Sequence, residues 1–147
     1  MIRTRAVLFA FLATAGFAFA QGMPISTDGT DPKTWDPKGD AIVAGKKNHV
    51  VIFEDSEIRV LSVTVQPGEV EVAHHHRWPS IIVFDRPTKL ENRDGKGNVI
   101  PLKLPANAEK PMVLRVPPEA AHAVTNLDKE KAMHLIRVEF KNGFPKE

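Results

Sequence analysis

The sequence predicts an all-β domain, a small β-barrel or jelly roll with an extended N-terminal arm. Three observations carry the prediction. About nine short runs of apolar and β-branched residues follow one another between residues 49 and 140. Proline and glycine, 12 and 9 of 147 residues, fall mostly between the runs, where turns are needed. No long segment repeats its apolar residues with the period of an amphipathic helix. Regularly spaced short strands of this kind suit a closed or sandwiched sheet.

The elements follow in order. Residues 49–53 are a short apolar run. Residues 58–65 are rich in Val, Leu and Ile and end at Pro67-Gly68, a turn signal. Residues 70–76 alternate Val70 and Val72 with Glu69 and Glu71, which predicts one strand running into His74-His75-His76. A compact apolar run covers 80–84. Asp94-Gly95-Lys96-Gly97 joins 89–92 to 99–102 as a hairpin. Residues 112–116 stop at Pro117-Pro118, and 121–126 follow. A polar turn at 128–131 leads into the last strand, 133–140. The domain is therefore placed at 48–141, with a short C-terminal tail at 142–147.

The first twenty residues read as a secretory signal peptide. Arg3 and Arg5 precede an uncharged apolar run, and Ala18-Phe19-Ala20 before Gln21 is an A-x-A cleavage pattern. The run is short for a membrane span, and the arginines are not adjacent, so a twin-arginine route is not supported. A bacterial periplasmic or secreted protein is expected. The full chain carries 20 Lys+Arg and 18 Asp+Glu. Removing Arg3 and Arg5 leaves 18 against 18, so no basic stripe for nucleic acid or membrane is expected after cleavage. There is no cysteine. Disulfides and thiolate chemistry are excluded, and an apolar core must hold the domain. Residues 21–47 read as an arm rich in Pro, Gly, Asp and Lys, with Asp31-Pro32-Lys33 echoed by Asp36-Pro37-Lys38. Trp35 either pins this arm against the barrel or stands exposed on a free leader.

The chemistry concentrates in histidines. His74 and His76 are two residues apart and so lie on one face of a strand, while His122 comes from another strand. Imidazoles converging from separate strands can hold a divalent metal. Gly68, five residues, His74, one residue and His76 resemble the first half of the first cupin motif. Pro117-x-Glu119-x-x-His122-x-x-x-Asn126 resembles the second. The resemblance spans roughly residues 50–140. It implies a jelly-roll barrel with one metal held by His74, His76 and His122. The motif's glutamate is missing, since Ser80 or Ile81 stands where it should fall, and Glu119 replaces the second motif's glycine. A three-histidine set carries no ligand charge and suits Fe, Zn, Cu or Ni better than Mn.

Other residues carry weaker expectations. By alternation, His74 and His76 should point inward beside Val70 and Val72, with His75 and Glu71 pointing away. His134 shares parity with Ile136, Val138 and Phe140, so it is placed in the interior, as a buried histidine or a pocket acid/base. Trp78 either walls the pocket or caps the core. Ser80 is a candidate pocket residue in the space of the missing carboxylate. Glu119 is a weak catalytic candidate, able to orient an imidazole or simply to be solvated. Asn126 is expected to fix a turn, and His49 reads as an edge histidine. No tyrosine is present, so a phenol base is excluded. The expected function is a metal-binding barrel for a small-molecule ligand or substrate, as a dioxygenase, isomerase or lyase. The alternative is a non-catalytic barrel that captures a small ligand or the metal itself. A homodimer is a further expected partner.

Overall fold

The computed structural model describes residues 24–102 and 111–146. The signal segment and residues 21–23 of the arm lie outside them. The described residues contain nine strands: β1 (His49–Glu54), β2 (Ile58–Val65), β3 (His74–His76), β4 (Ser80–Arg86), β5 (Leu90–Asp94), β6 (Val99–Ile100), β7 (Met112–Val116), β8 (Glu119–Asn126) and β9 (Met133–Phe140). They form two antiparallel sheets, β1-β2-β9-β4-β7 and β3-β8-β5-β6. The all-β jelly-roll expectation holds.

The core is built on period-two alternation. β2 buries Arg59, Leu61, Val63 and Val65, and β9 buries Met133, Leu135, Arg137 and Glu139. Their register pairs Val65 with Met133, Val63 with Leu135, Leu61 with Arg137 and Arg59 with Glu139. One inner face therefore runs from wholly apolar to wholly charged within four pairs. Ile82 and Phe84 of β4 and Leu114 and Val116 of β7 close the apolar end. At the charged end Arg59 lies between Glu139, hydrogen-bonded through Nε, and Asp40, 3.0 Å from Nη2. Burial of such charges is tolerable only because each has an opposite partner.

This charged end corrects one expectation. His134 belongs to the outer face of β9, where its Nδ1 lies 2.5 Å from Asp85 Oδ1 and its Nε2 3.0 Å from Ser62 Oγ. The outer face carries Ile136, Val138 and Phe140 and looks apolar, whereas the inner face carries Arg137 and Glu139. An apolar count thus selects the wrong phase.

Residues 70–76 also depart from a single alternating strand. Val70 forms an isolated bridge to Thr125, and Val72 and Ala73 are exposed before β3 begins. The β3–β8 ladder is irregular between His74 and His76. The phase changes earlier, across the two exposed residues Val72 and Ala73: Val70 and Val72 face solvent, while Glu71 is buried with His74 and His76.

The arm is pinned. Asp31 and Asp36 cap two 3-10 turns, Pro32–Thr34 and Pro37–Gly39, accepting from the Lys33 and Lys38 amides. Proline at the first position suits each turn because no amide donor is needed there. The Trp35 ring lies 5.2 Å from that of His75, and His75 Nε2 donates to Asp36 O at 2.8 Å.

Asn126 fixes the β8–β9 connection. Its Nδ2 donates to Val65 O and Lys131 O at 3.0 and 2.8 Å, and its Oδ1 accepts from Thr88 Oγ1 and the Asp128 amide. Asn126→Ala strands several buried partners at once. We expect a loss of about 3 kcal/mol in urea unfolding, and a loss under about 1 kcal/mol would contradict this assignment.

Candidate metal centre

Four histidines from three strands meet at the polar end of the barrel interior. His74 on β3 stands directly opposite His122 on β8. His76 follows on β3, and His49 opens β1. Ring centroids are 4.4 Å apart for His49–His74, 4.7 Å for His74–His122, 5.1 Å for His74–His76, 5.3 Å for His49–His76 and 5.6 Å for His76–His122. One ligand atom from each of His49, His74 and His76 lies within 4.8 Å of the other two. The structure thus brings together the three histidines expected from the motifs and adds His49, which sequence reasoning set aside.

Each imidazole is held by its Nδ1. The acceptors are Gly45 O for His49 at 3.1 Å, Val72 O for His74 at 2.8 Å and Ala120 O for His122 at 3.0 Å. A carbonyl only accepts, so Nδ1 carries the proton and the lone pair resides on Nε2. His76 Nδ1 donates to Glu139 Oε1 at 2.7 Å, a carboxylate–imidazole pair of the kind that orients metal ligands. Burial pushes the pKa of His49 down to about 4, and those of His74 and His76 well below the ordinary range. Burial lowers His122 as well, against the opposing charge of Glu119. All four rings are therefore neutral at pH 7, the form in which imidazole binds a metal. Gly45 allows this packing: a Cβ there would come within 3.0 Å of His49 Nδ1 and 3.2 Å of His74 Cγ.

The cluster opens on a cavity of about 80 Å³. Its polar wall also includes Glu71, Asn92, Glu119 and Arg137, and its far wall is apolar, with Phe84, Leu90, Leu114 and Leu135. Glu71 Oε1 lies 3.8 Å from His49 Nδ1, and burial raises its pKa to about 8, so it holds a proton at neutral pH. The expectation that Glu71 points away is overturned by the phase break at Val72–Ala73. Glu119 is not solvated: it is buried, with Oε2 2.7 Å from Arg137 Nη2. Burial acts to raise its pKa, but the opposing interactions together, the Arg137 guanidinium foremost among them, leave it below its ordinary value.

The three expected pocket residues lie elsewhere. Ser80 is fully buried between Arg137 Nε at 3.0 Å and Trp78 O at 3.1 Å, where it braces the guanidinium. Trp78 packs under Arg59, whose Cζ is 4.6 Å from the ring, and lines a separate surface cleft with Arg77 and Lys141. His134 is on the outer face. The reason is common to Trp78 and Ser80: β4 pairs Ser80 with Glu139 and Val116, so this end of the strand joins the charged network behind His76. His75 points away from the cluster, as alternation predicts, and is covered by the arm.

Two antiparallel sheets enclosing a histidine cluster define a β-jelly-roll protein with a candidate metal site. Solved structures of similar fold are as follows. A cupin domain from Bordetella pertussis Tohama I is similar at TM-score 0.53 and 17% identity, over 63% of this chain and 91% of that one. An RmlC-like cupin protein from Desulfovibrio desulfuricans is similar at 20% identity over 64% and 84% of the two chains, with TM-score 0.42. A cupin-like protein from Thermotoga maritima MSB8 is similar at 17% identity over 64% and 68%, with TM-score 0.41. No family model and no curated protein matches the chain. The fold of this chain is the cupin fold.

Proposed function

We propose that this protein is an exported cupin-fold barrel that holds one divalent transition metal and receives a small molecule in the cavity beside it. His49, His74 and His76 would hold the metal, with His122 as a fourth imidazole. The observation that carries the reading is the donor chemistry: four buried neutral imidazoles, each tied at Nδ1 and so left with the lone pair on Nε2, line one cavity. Nitrogen-only ligation suits Zn, Fe, Cu or Ni. A bound metal would act as a Lewis acid toward a carbonyl or water in the cavity.

The chain's own residues supply the rest. Glu139 and the three carbonyls orient the rings. Arg137, braced by Ser80, holds Glu119 ionised. Glu71 keeps a proton at the cavity wall beside His49, which makes it a stronger acid/base candidate than Glu119 or His134. The apolar wall limits water around a bound molecule. Export is supported by the signal pattern of residues 1–20.

The test is elemental analysis of the tag-free mature chain purified without chelator. About one equivalent of Zn, Fe, Cu or Ni per chain is expected. Under a tenth of an equivalent, with no uptake on titration of each metal, would remove this reading.

A further inference from the structure

Away from the metal centre and its cavity, the outer face of the five-stranded sheet joins a serine, a histidine and an aspartate in one hydrogen-bonded chain. They are Ser62 of β2, His134 of β9 and Asp85 of β4. His134 Nδ1 lies 2.5 Å from Asp85 Oδ1, and His134 Nε2 lies 3.0 Å from Ser62 Oγ. Burial acts to raise the Asp85 pKa, but the opposing interactions, its hydrogen bond with His134 foremost, leave it below its ordinary value. The carboxylate is ionised at pH 7 and only accepts, so Nδ1 donates to it. The Nε2 lone pair is left to accept the Ser62 hydroxyl proton. A hydroxyl bonded to an imidazole whose other nitrogen is held by a carboxylate is the arrangement that activates a serine nucleophile.

The strand register brings the three together. Thr64 is the direct partner of His134 and Ser62 that of Ile136, so the ring reaches Ser62 on the diagonal. On the other side β4 carries a bulge: Phe84 pairs with Leu135 and Arg86 with His134, which leaves Asp85 as the extra residue. Bulges re-aim side chains, and this one brings the carboxylate to Nδ1. Ser62 also belongs to a row that crosses all five strands, Val50–Ser62–Ile136–Val83–Val113. None of its four apolar members is buried, and Val50 and Val113 are 55% and 57% exposed. At about 4.8 Å per strand, the three steps from Ser62 to Val113 make an open apolar strip of about 14 Å.

We propose that Ser62 is an acyl-accepting nucleophile toward esters of medium-length apolar carboxylic acids, with His134 as its base, Asp85 as the positioning residue and Ile136, Val83 and Val113 as the platform for the acyl chain. Ser62 Oγ attacks the ester carbonyl carbon as its proton passes to His134 Nε2. The bond from that carbon to the alcohol oxygen breaks, and the alcohol leaves with the proton. The acyl group stays on Ser62 until water releases it by the same steps. The histidine cluster takes no part, so this proposal and the metal reading stand or fall separately.

The test adds p-nitrophenyl octanoate or p-nitrophenyl acetate to the purified mature chain in chelator, which silences hydrolysis by any bound metal. Nitrophenolate release and the acyl mass on the Ser62 peptide are read together. One octanoyl group per chain on Ser62 is expected, formed about tenfold faster than the acetyl group, the effect of burying about two methylenes. Ser62→Ala should abolish the label, and His134→Gln should slow it about a hundredfold, the contribution of a positioned base. Asp85→Asn should slow both esters alike and keep the octanoate preference, with Asp85→Glu restoring part of the rate. Val113→Asp should remove most of that preference. The peptide map of the parent decides the site even if a variant fails to fold. Acyl groups on lysine and not on Ser62, no acylation, or parental rates in Ser62→Ala or His134→Gln would overturn the proposal. Equal rates for the two esters would overturn the acyl platform.

Discussion

His76→Ala, purified beside the parent, will retain under about a tenth of an equivalent of metal. Structural sites in small domains bind with roughly 10–16 kcal/mol across their ligands. Removing one of three or four therefore costs about 3 kcal/mol, a hundredfold or more in affinity. His76 also links the cluster to Glu139, so its loss removes the orienting contact together with the ligand. His74→Ala and His49→Ala should behave alike, because their candidate ligand atoms lie with that of His76 in one group. His122→Ala should lose about tenfold, as a residue supporting the group. His134→Ala, on the outer face, should retain the full equivalent. Metal retained by His49→Ala but lost by His122→Ala would return the ligand set to the three motif histidines.

The metal-free protein will be most stable near pH 6.5 and will lose stability steeply below it. The four clustered histidines have folded pKa values below the ordinary 6.5 because burial disfavours their charged form. Their neutral state costs nothing above 6.5, so their contribution is complete there. It is lost as pH falls toward the folded values, because the unfolded chain takes up protons that the folded chain refuses. For His49, moving from 6.5 to about 4 is worth about 3 kcal/mol. Glu71 and Glu139 act oppositely. Burial raises both, Glu71 to about 8, so their contribution is present at low pH and fades as pH rises, for Glu71 through about 8. Four histidines outweigh two carboxyls between pH 4.5 and 6.5, and the carboxyls bring a shallower decline above. Urea midpoints measured in chelator from pH 4.5 to 9 would show this asymmetric dome. A flat profile below pH 6.5 would mean that the histidines are not buried neutral. Saturating metal should steepen the acid side, since protons then compete with the metal for Nε2.

The residues differ in how readily they could be read from the chain. His74 and His76 were legible because their spacing matches the strand period, and His122 because its motif spacing placed it on a partner strand. His49 was not legible: one histidine before an apolar run has no partner in sequence. Its only signal was indirect, since a motif lacking its carboxylate needs a ligand from elsewhere. Trp78 and Ser80 were misplaced because their position just after the first motif does not reveal the charged network that β4 joins, and Glu71 and His134 because their faces were read from strand parity. Strand parity holds only while the ladder is regular and the inner face is apolar. The ladder breaks at Val72–Ala73, and the inner face of β9 is charged from Arg137 onward.

By itself, the sequence determined the strand count, the turns, the jelly-roll class and a histidine site built from three of its four members. These follow from local rules: turn chemistry, alternation and spacing along one chain. Only the tertiary structure decided which face each strand buries, that His49 joins the cluster, and that Arg59, Glu119, Arg137 and Glu139 form its buried support. Those outcomes depend on pairing between residues as many as eighty positions apart, such as Arg59 with Glu139. The energy that makes a buried charge acceptable resides in its partner and not in its own position along the chain.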